Sequence, residues 1–110
     1  MANTCNTNLS IQRTESKRDI AEMSEEIKKF IDDNIAYQMT PDEVYCDEDT
    51  LEIYVSTRWN VPVKELSEMC KQFSVRCRAW GVEEGVGFIQ VVHIEDTGQV
   101  LSDEELPFNF

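Results

Sequence analysis

Cys46-Asp47-Glu48-Asp49-Thr50-Leu51-Glu52-Ile53-Tyr54-Val55-Ser56 is the stretch from which the architecture can be read. Leu51, Ile53 and Val55 alternate with Glu52, Tyr54 and Ser56, the period of a strand with one aliphatic face on a core and one polar face turned away. The run Asp47-Glu48-Asp49 before it consists of turn formers, and Val44 to Cys46 on its far side forms a short extended piece, so the segment predicts a strand hairpin. Thr40-Pro41-Asp42 marks the break that precedes it.

Toward the N-terminus, Ile20, Met23, Ile27, Phe30 and Ile31 recur at helical spacing through about Asp33, behind a Ser16/Asp19 pair that resembles a capping box. The opposite side of this helix, with Glu22, Glu25, Glu26 and Lys29, is a solvated face. Residues 4 to 12 precede it, and the apolar Leu9 and Ile11 between Asn8, Ser10 and Gln12 predict a first strand. Toward the C-terminus, Asn60-Val61-Pro62 opens a second helix carrying Val63, Leu66, Met69, Cys70 and Phe73 on one face, ending near Phe73 or Ser74. Val75, Cys77 and Ala79, alternating with Arg76, Arg78 and Trp80, then pair through Gly81 to Gly87 with the apolar run Phe88 to Ile94 as a second hairpin. A turn at Asp96-Thr97-Gly98 leads to a short last strand at Gln99 to Leu101 and an acidic tail over about 102–110. The order predicts one α+β domain over 1–110, a ferredoxin-like split βαβ two-layer sandwich with both helices on one face of an antiparallel sheet.

The chain has 110 residues, 41% hydrophobic and 29% charged, a length and composition that build one packed core. No apolar run approaches the roughly 20 residues of a membrane span, and the start carries neither a basic segment nor an apolar signal core, so the expected location is the cytoplasm. The four cysteines, Cys5, Cys46, Cys70 and Cys77, form no Cys-x-x-Cys pair and have one histidine, His93, beside them, which argues against zinc and for free thiols. Twenty-two carboxylates against ten Lys and Arg give a net charge of −12. Such a field repels phosphate backbones and favours a basic protein as partner, with no membrane and no direct nucleic-acid contact expected.

Asn3-Thr4-Cys5-Asn6-Thr7-Asn8-Leu9-Ser10-Ile11 resembles the opening strand of YubB-like ferredoxin-like proteins of plasmids and phages. Ser56-Thr57-Arg58-Trp59-Asn60-Val61-Pro62 is similar to that family's strand end with a Trp and Pro before the second helix, and Glu83-Glu84-Gly85-Val86-Gly87-Phe88 to its Glu-Gly hairpin. The pattern departs at Thr4, where an aromatic residue is expected, and at Val61, where a second proline is expected. The resemblance implies a split βαβ fold and a mobile-element setting; it implies no activity to carry onto named residues and, without a cysteine cluster, no iron–sulfur centre or other cofactor.

The distribution of charge is more specific than its total, because no Lys or Arg occurs from Phe30 through Thr57 or from Ala79 to the C-terminus. The first of these segments holds Asp32, Asp33, Asp42, Glu43, Asp47, Glu48, Asp49 and Glu52; the second holds Glu83, Glu84, Glu95, Asp96, Asp103, Glu104 and Glu105. All of these but Glu52, Glu95 and Asp96 form the expected partner-binding surface of a non-catalytic accessory protein that binds a basic protein, such as a nucleic-acid-mimicking inhibitor of a host defence (anti-CRISPR-like) or DNA-handling protein; the plain alternative is a surface that serves solubility. Asp47-Glu48-Asp49 with Glu52 lacks the glycine and distal glutamate of a calcium loop and reads as an acidic turn. Tyr54, Arg58, Arg76, Arg78 and Trp80 share an uncovered sheet face, an alternative site for RNA or DNA, set against the simpler reading in which the arginines pair with Glu52 or a neighbouring carboxylate. A small enzyme using His93 and a cysteine is the second alternative, since an imidazole activates a thiol within hydrogen-bond reach. Leu106-Pro107-Phe108-Asn109-Phe110 is expected to dock on the domain's own sheet.

Overall fold

The structure, a computed structural model, describes residues 4–15, 18–83, 85 and 87–107. It contains β1 (Thr4–Arg13), α1 (Ile20–Asn34), β2 (Asp42–Cys46), β3 (Thr50–Arg58), α2 (Val63–Phe73), β4 (Val75–Glu83), β5 (Phe88–Ile94) and β6 (Val100–Pro107). This is an α+β chain with two helices and one six-stranded antiparallel sheet of order β2-β3-β1-β4-β5-β6. Each helix is a crossover that skips one strand, so β1 comes to lie between β3 and β4.

Alternation along the strands puts Cys5, Leu9 and Ile11 of β1, Leu51, Ile53 and Val55 of β3, and Val75, Cys77 and Ala79 of β4 on the face that the helices cover. Ile20, Met23, Ile27 and Ile31 of α1 and Leu66, Met69 and Cys70 of α2 complete a single buried cluster with them. Phe30 and Phe73 meet edge to face, with centroids 6.1 Å apart, and bring the two helices together. The cap of α1 is Asp19, whose Oδ1 accepts from the Glu22 N–H at 2.8 Å, one turn into the helix. Ser16 lies outside the described residues. Ser74 ends α2 in the left-handed region, with its N–H bonded to the Cys70 carbonyl.

The expected acidic tail is corrected in one respect: residues 102–107 are no tail but the body of β6, which starts at Val100 and pairs along the whole of β5. Its residues are almost all exposed, so it has no apolar face to announce it; backbone pairing, and not burial, holds it in the sheet. Leu106 and Pro107 pair with Ile89 and Phe88, while Phe108, Asn109 and Phe110 lie outside the described residues. Among the described residues no helix is long and apolar enough to cross a membrane.

Candidate functional site

The two acidic segments occupy opposite edges of the sheet. Asp42 and Glu43 are on β2, Asp47, Glu48 and Asp49 form the β2–β3 turn, and Asp103, Glu104 and Glu105 are on β6. Five strand spacings, about 24 Å, separate β2 from β6. A single track across the sheet is therefore not formed. Glu83 is also corrected: it is 2% exposed on the helix side of β4, and its Oε1 accepts the Gly85 N–H at 2.9 Å, which closes the β4–β5 hairpin instead of facing a partner. Glu84 lies outside the described residues.

The first edge is the denser one, because α1 lies along it. Lys28 Nζ stands 2.8 Å from Glu25 Oε1 and 3.1 Å from Glu43 Oε1, which shows that the carboxylates of α1 and β2 share one surface. The Ile20 N–H donates to the Glu48 carbonyl at 2.8 Å, which seats the start of the helix on the β2–β3 turn. Asp32, one turn on from Lys28, continues this side of α1, whereas Asp33, held by Lys29 at 3.0 Å, lines the groove between α1 and α2 with Gln72 and Phe73. Exposed pairs of this kind contribute little to stability, and the basic residues fall short of neutralising the edge.

Asp47 has a job within the turn. Its Oδ1 accepts the backbone N–H groups of Asp49 and Thr50, each at 2.8 Å, and its Oδ2 accepts the Tyr45 hydroxyl at 2.6 Å. The Tyr45 hydroxyl and then the two backbone donors hold its carboxyl below the ordinary range, and the Tyr45 hydroxyl is pushed up in return, first by that same bond. The charge at this turn is thus satisfied by donors of the chain. Among the described residues no group of three or more His, Cys, Asp or Glu side chains is placed to hold a metal ion.

The sheet face away from the helices is open. Register aligns Asp42, Tyr54, Asn8, Trp80, Val91 and Glu104 in one row across all six strands, and Tyr45, Glu52, Ser10, Arg78, His93 and Ser102 in the next. Arg58, Arg76 and Arg78 lie on this face with Tyr54 and Trp80, but they do not pair with Glu52. Arg76 Nε meets Glu95 Oε2 at 3.2 Å, Arg58 lies 5.6 Å over the Tyr37 ring, and Arg78 has no ion-pair partner among the described residues. The reason is distance: Glu52 and Arg78 both neighbour Ser10, one on each side, so about 10 Å of sheet separates them. The α1–β2 connection reaches over one end of the face, where Ser56 Oγ donates to Met39 Sδ at 3.2 Å. Asn8, Met39, Val44 and Val91 belong to this surface and escaped the sequence reading, since only strand register, and for Val44 a bulge in β2, reveals them.

His93 is also on the open face, opposite Arg78 and Ser102, whereas Cys77 points to the helices on β4. Cys5 and Cys70 are buried in the core, and Cys46 is on β2, with β3, β1 and β4 between it and β5. The imidazole and a thiol are not brought together. Burial pushes the Cys5 and Cys46 thiols up; a hydrogen bond with Cys70, followed by burial, pushes Cys77 well up, all away from the thiolate a nucleophile needs. No family model matches the chain, and neither a curated protein nor a solved structure matches it.

Proposed function

We propose that this chain is a non-catalytic accessory protein of a phage or plasmid, a ferredoxin-like domain of the YubB-like kind, that acts in the cytoplasm by binding a basic protein surface. The order β2-β3-β1-β4, with one helix crossing over each pair, supports the fold assignment, β5 and β6 being an added hairpin arm. The observation that carries the functional reading is the single acidic surface shared by α1, β2 and the β2–β3 turn. A nucleic-acid-binding groove on a host defence or DNA-handling protein is the kind of basic surface it fits, and one edge of this domain, not both, makes the contact.

The test is capture of partners by tagged protein from host lysate at low salt, after nuclease treatment. Wild type is expected to retain a basic protein that elutes as salt rises. Asp32→Lys with Glu48→Lys, at the two ends of the surface, is expected to weaken capture by about tenfold or more, while Glu105→Lys on the other edge leaves it unchanged. Equal capture by all three proteins sinks the reading.

One observation favours a second reading, in which the open face binds single-stranded nucleic acid: Tyr54, Trp80 and Arg78 stand together where no helix covers them. Material lost on nuclease treatment, together with direct oligonucleotide binding, would support it instead.

A further inference from the structure

We propose that the open sheet face is the contact surface between two copies of this chain, packed face to face about a two-fold axis that runs along β1. The inference is independent of the acidic-edge reading, because it uses a different surface.

Four observations carry it. The first is apolar exposure: Trp80 is 39% exposed, Met39 41% and Val44 65%, and all three belong to this face, with Tyr54, Ile89 and Val91 beside them. Charge is the second. From β2 to β5 this face carries Asp42, Glu52 and Glu95, the last paired with Arg76, against Arg58, Arg76 and Arg78, so its charges balance while the chain as a whole carries −12. A second copy therefore meets no net repulsion across this face, unlike the acidic edges at β2 and β6.

The third is register. Tyr54 and Trp80 are the two neighbours of Asn8, and Glu52 and Arg78 the two neighbours of Ser10, on either side of β1. Rotation by 180° about an axis along β1 therefore lays β3 of one copy over β4 of the other. Glu52 then faces the other copy's Arg78, Tyr54 faces Trp80, and Asn8 meets its own copy, an amide able both to donate and to accept. Among the described residues of one chain neither Glu52 nor Arg78 has an ion-pair partner, and this arrangement supplies two such pairs. Area is the fourth. Five strands of about eight residues present roughly 600 Å² per copy, about 1,200 Å² in all, the lower end of specific interfaces, so the dimer dissociates on dilution.

The test is sedimentation velocity of the full chain from about 1 to about 200 µM, where wild type is expected to pass from the mass of one chain to that of two. Glu52→Arg and Arg78→Glu, singly, place like charges face to face and are expected to weaken the dimer about tenfold or more, and the double variant Glu52→Arg/Arg78→Glu to restore it. Glu52→Gln and Arg78→Gln keep the test valid if a reversed charge disturbs folding; each is expected to weaken the dimer by a smaller factor. A wild type that stays monomeric throughout overturns the proposal. So does a dimer indifferent to both single variants, a folded double variant that is not restored, or a monomer whose Trp80 fluorescence is quenched by a single-stranded oligonucleotide.

Discussion

A methyl group at position 81 would sit 2.5 Å from Cys5 Sγ and 2.8 Å from Val61 Cγ2, closer than a carbon can approach either. The glycine is there because the segment Trp59 to Pro62 folds inward and lodges Val61, 1% exposed, against β4. Gly81→Ala is expected to destabilise the chain by about 1–3 kcal/mol, the usual cost of overpacking, read as a lower midpoint in denaturant at an unchanged slope. An unchanged midpoint would mean that Cys5 and Val61 can shift aside. Trp59 holds φ 69°, a left-handed backbone unusual for a bulky residue, and is secured by the bond from the Asn60 N–H to the Arg58 carbonyl and from Thr57 Oγ1 to the Asn60 carbonyl, each within 2.8 Å. At this scale the sequence was partly legible. Asp19 stood in the cap reading beside Ser16, and the bond geometry assigns the cap to Asp19. The strand end before a proline was visible in Trp59 to Pro62, but the inward fold of Val61 onto a glycine more than 15 residues away was not, since nothing local records it.

β6 shows what an element can lack and still form. Both of its faces are exposed, and no alternation marks it; it exists because β5 offers it a free edge and because Gln90 reaches across, with Nε2 donating to Asp103 Oδ1 at 2.8 Å. The same side chain accepts the Val61 N–H on Oε1 at 3.0 Å, so one buried amide ties β6 to the entrance of α2. Ser67 Oγ of α2 donates in turn to the Gly98 carbonyl in the β5–β6 turn, and Gly98 has φ 89°. Gln90→Leu would leave the Val61 N–H buried without an acceptor, a loss of about 1–3 kcal/mol, together with faster amide exchange along β6. Unchanged exchange in β6 would show that backbone pairing holds the strand without that amide. The acidic charges of β6 also serve it as an edge strand, since Asp103, Glu104 and Glu105 discourage pairing with a like edge of another copy. This is a further reason to place self-association on the face and not on the edge.

At the scale of the molecule, 22 carboxylates repel one another across a small body while the ion pairs among the described residues lie at the surface and are individually weak. Screening should therefore relieve more repulsion than attraction. The midpoint of thermal unfolding is expected to rise between about 20 mM and about 500 mM sodium chloride, at protein concentrations low enough to keep the chain monomeric. A falling midpoint would show that the pairs of Lys28, Lys29 and Arg76 outweigh the net charge.

The sequence by itself determined the two helices and the faces of β1, β3, β4 and β5, though not the extent of β6. A period of two in Leu51 to Ser56 and Val75 to Trp80, and a period near 3.6 in Ile20 to Ile31 and Val63 to Phe73, are properties of adjacent residues and survive whatever the rest of the chain does. The excess of carboxylates was equally plain. Only the tertiary structure decided which carboxylates stand together, because each crossover helix carries the chain past one strand before it pairs again. That passage sends the two acidic segments to opposite edges, turns Glu83 inward, and puts β1 between β3 and β4. The juxtaposition of Glu52, Ser10 and Arg78 depends on register between strands dozens of residues apart, which is fixed by how the buried face fits the helices and not by any spacing along the chain.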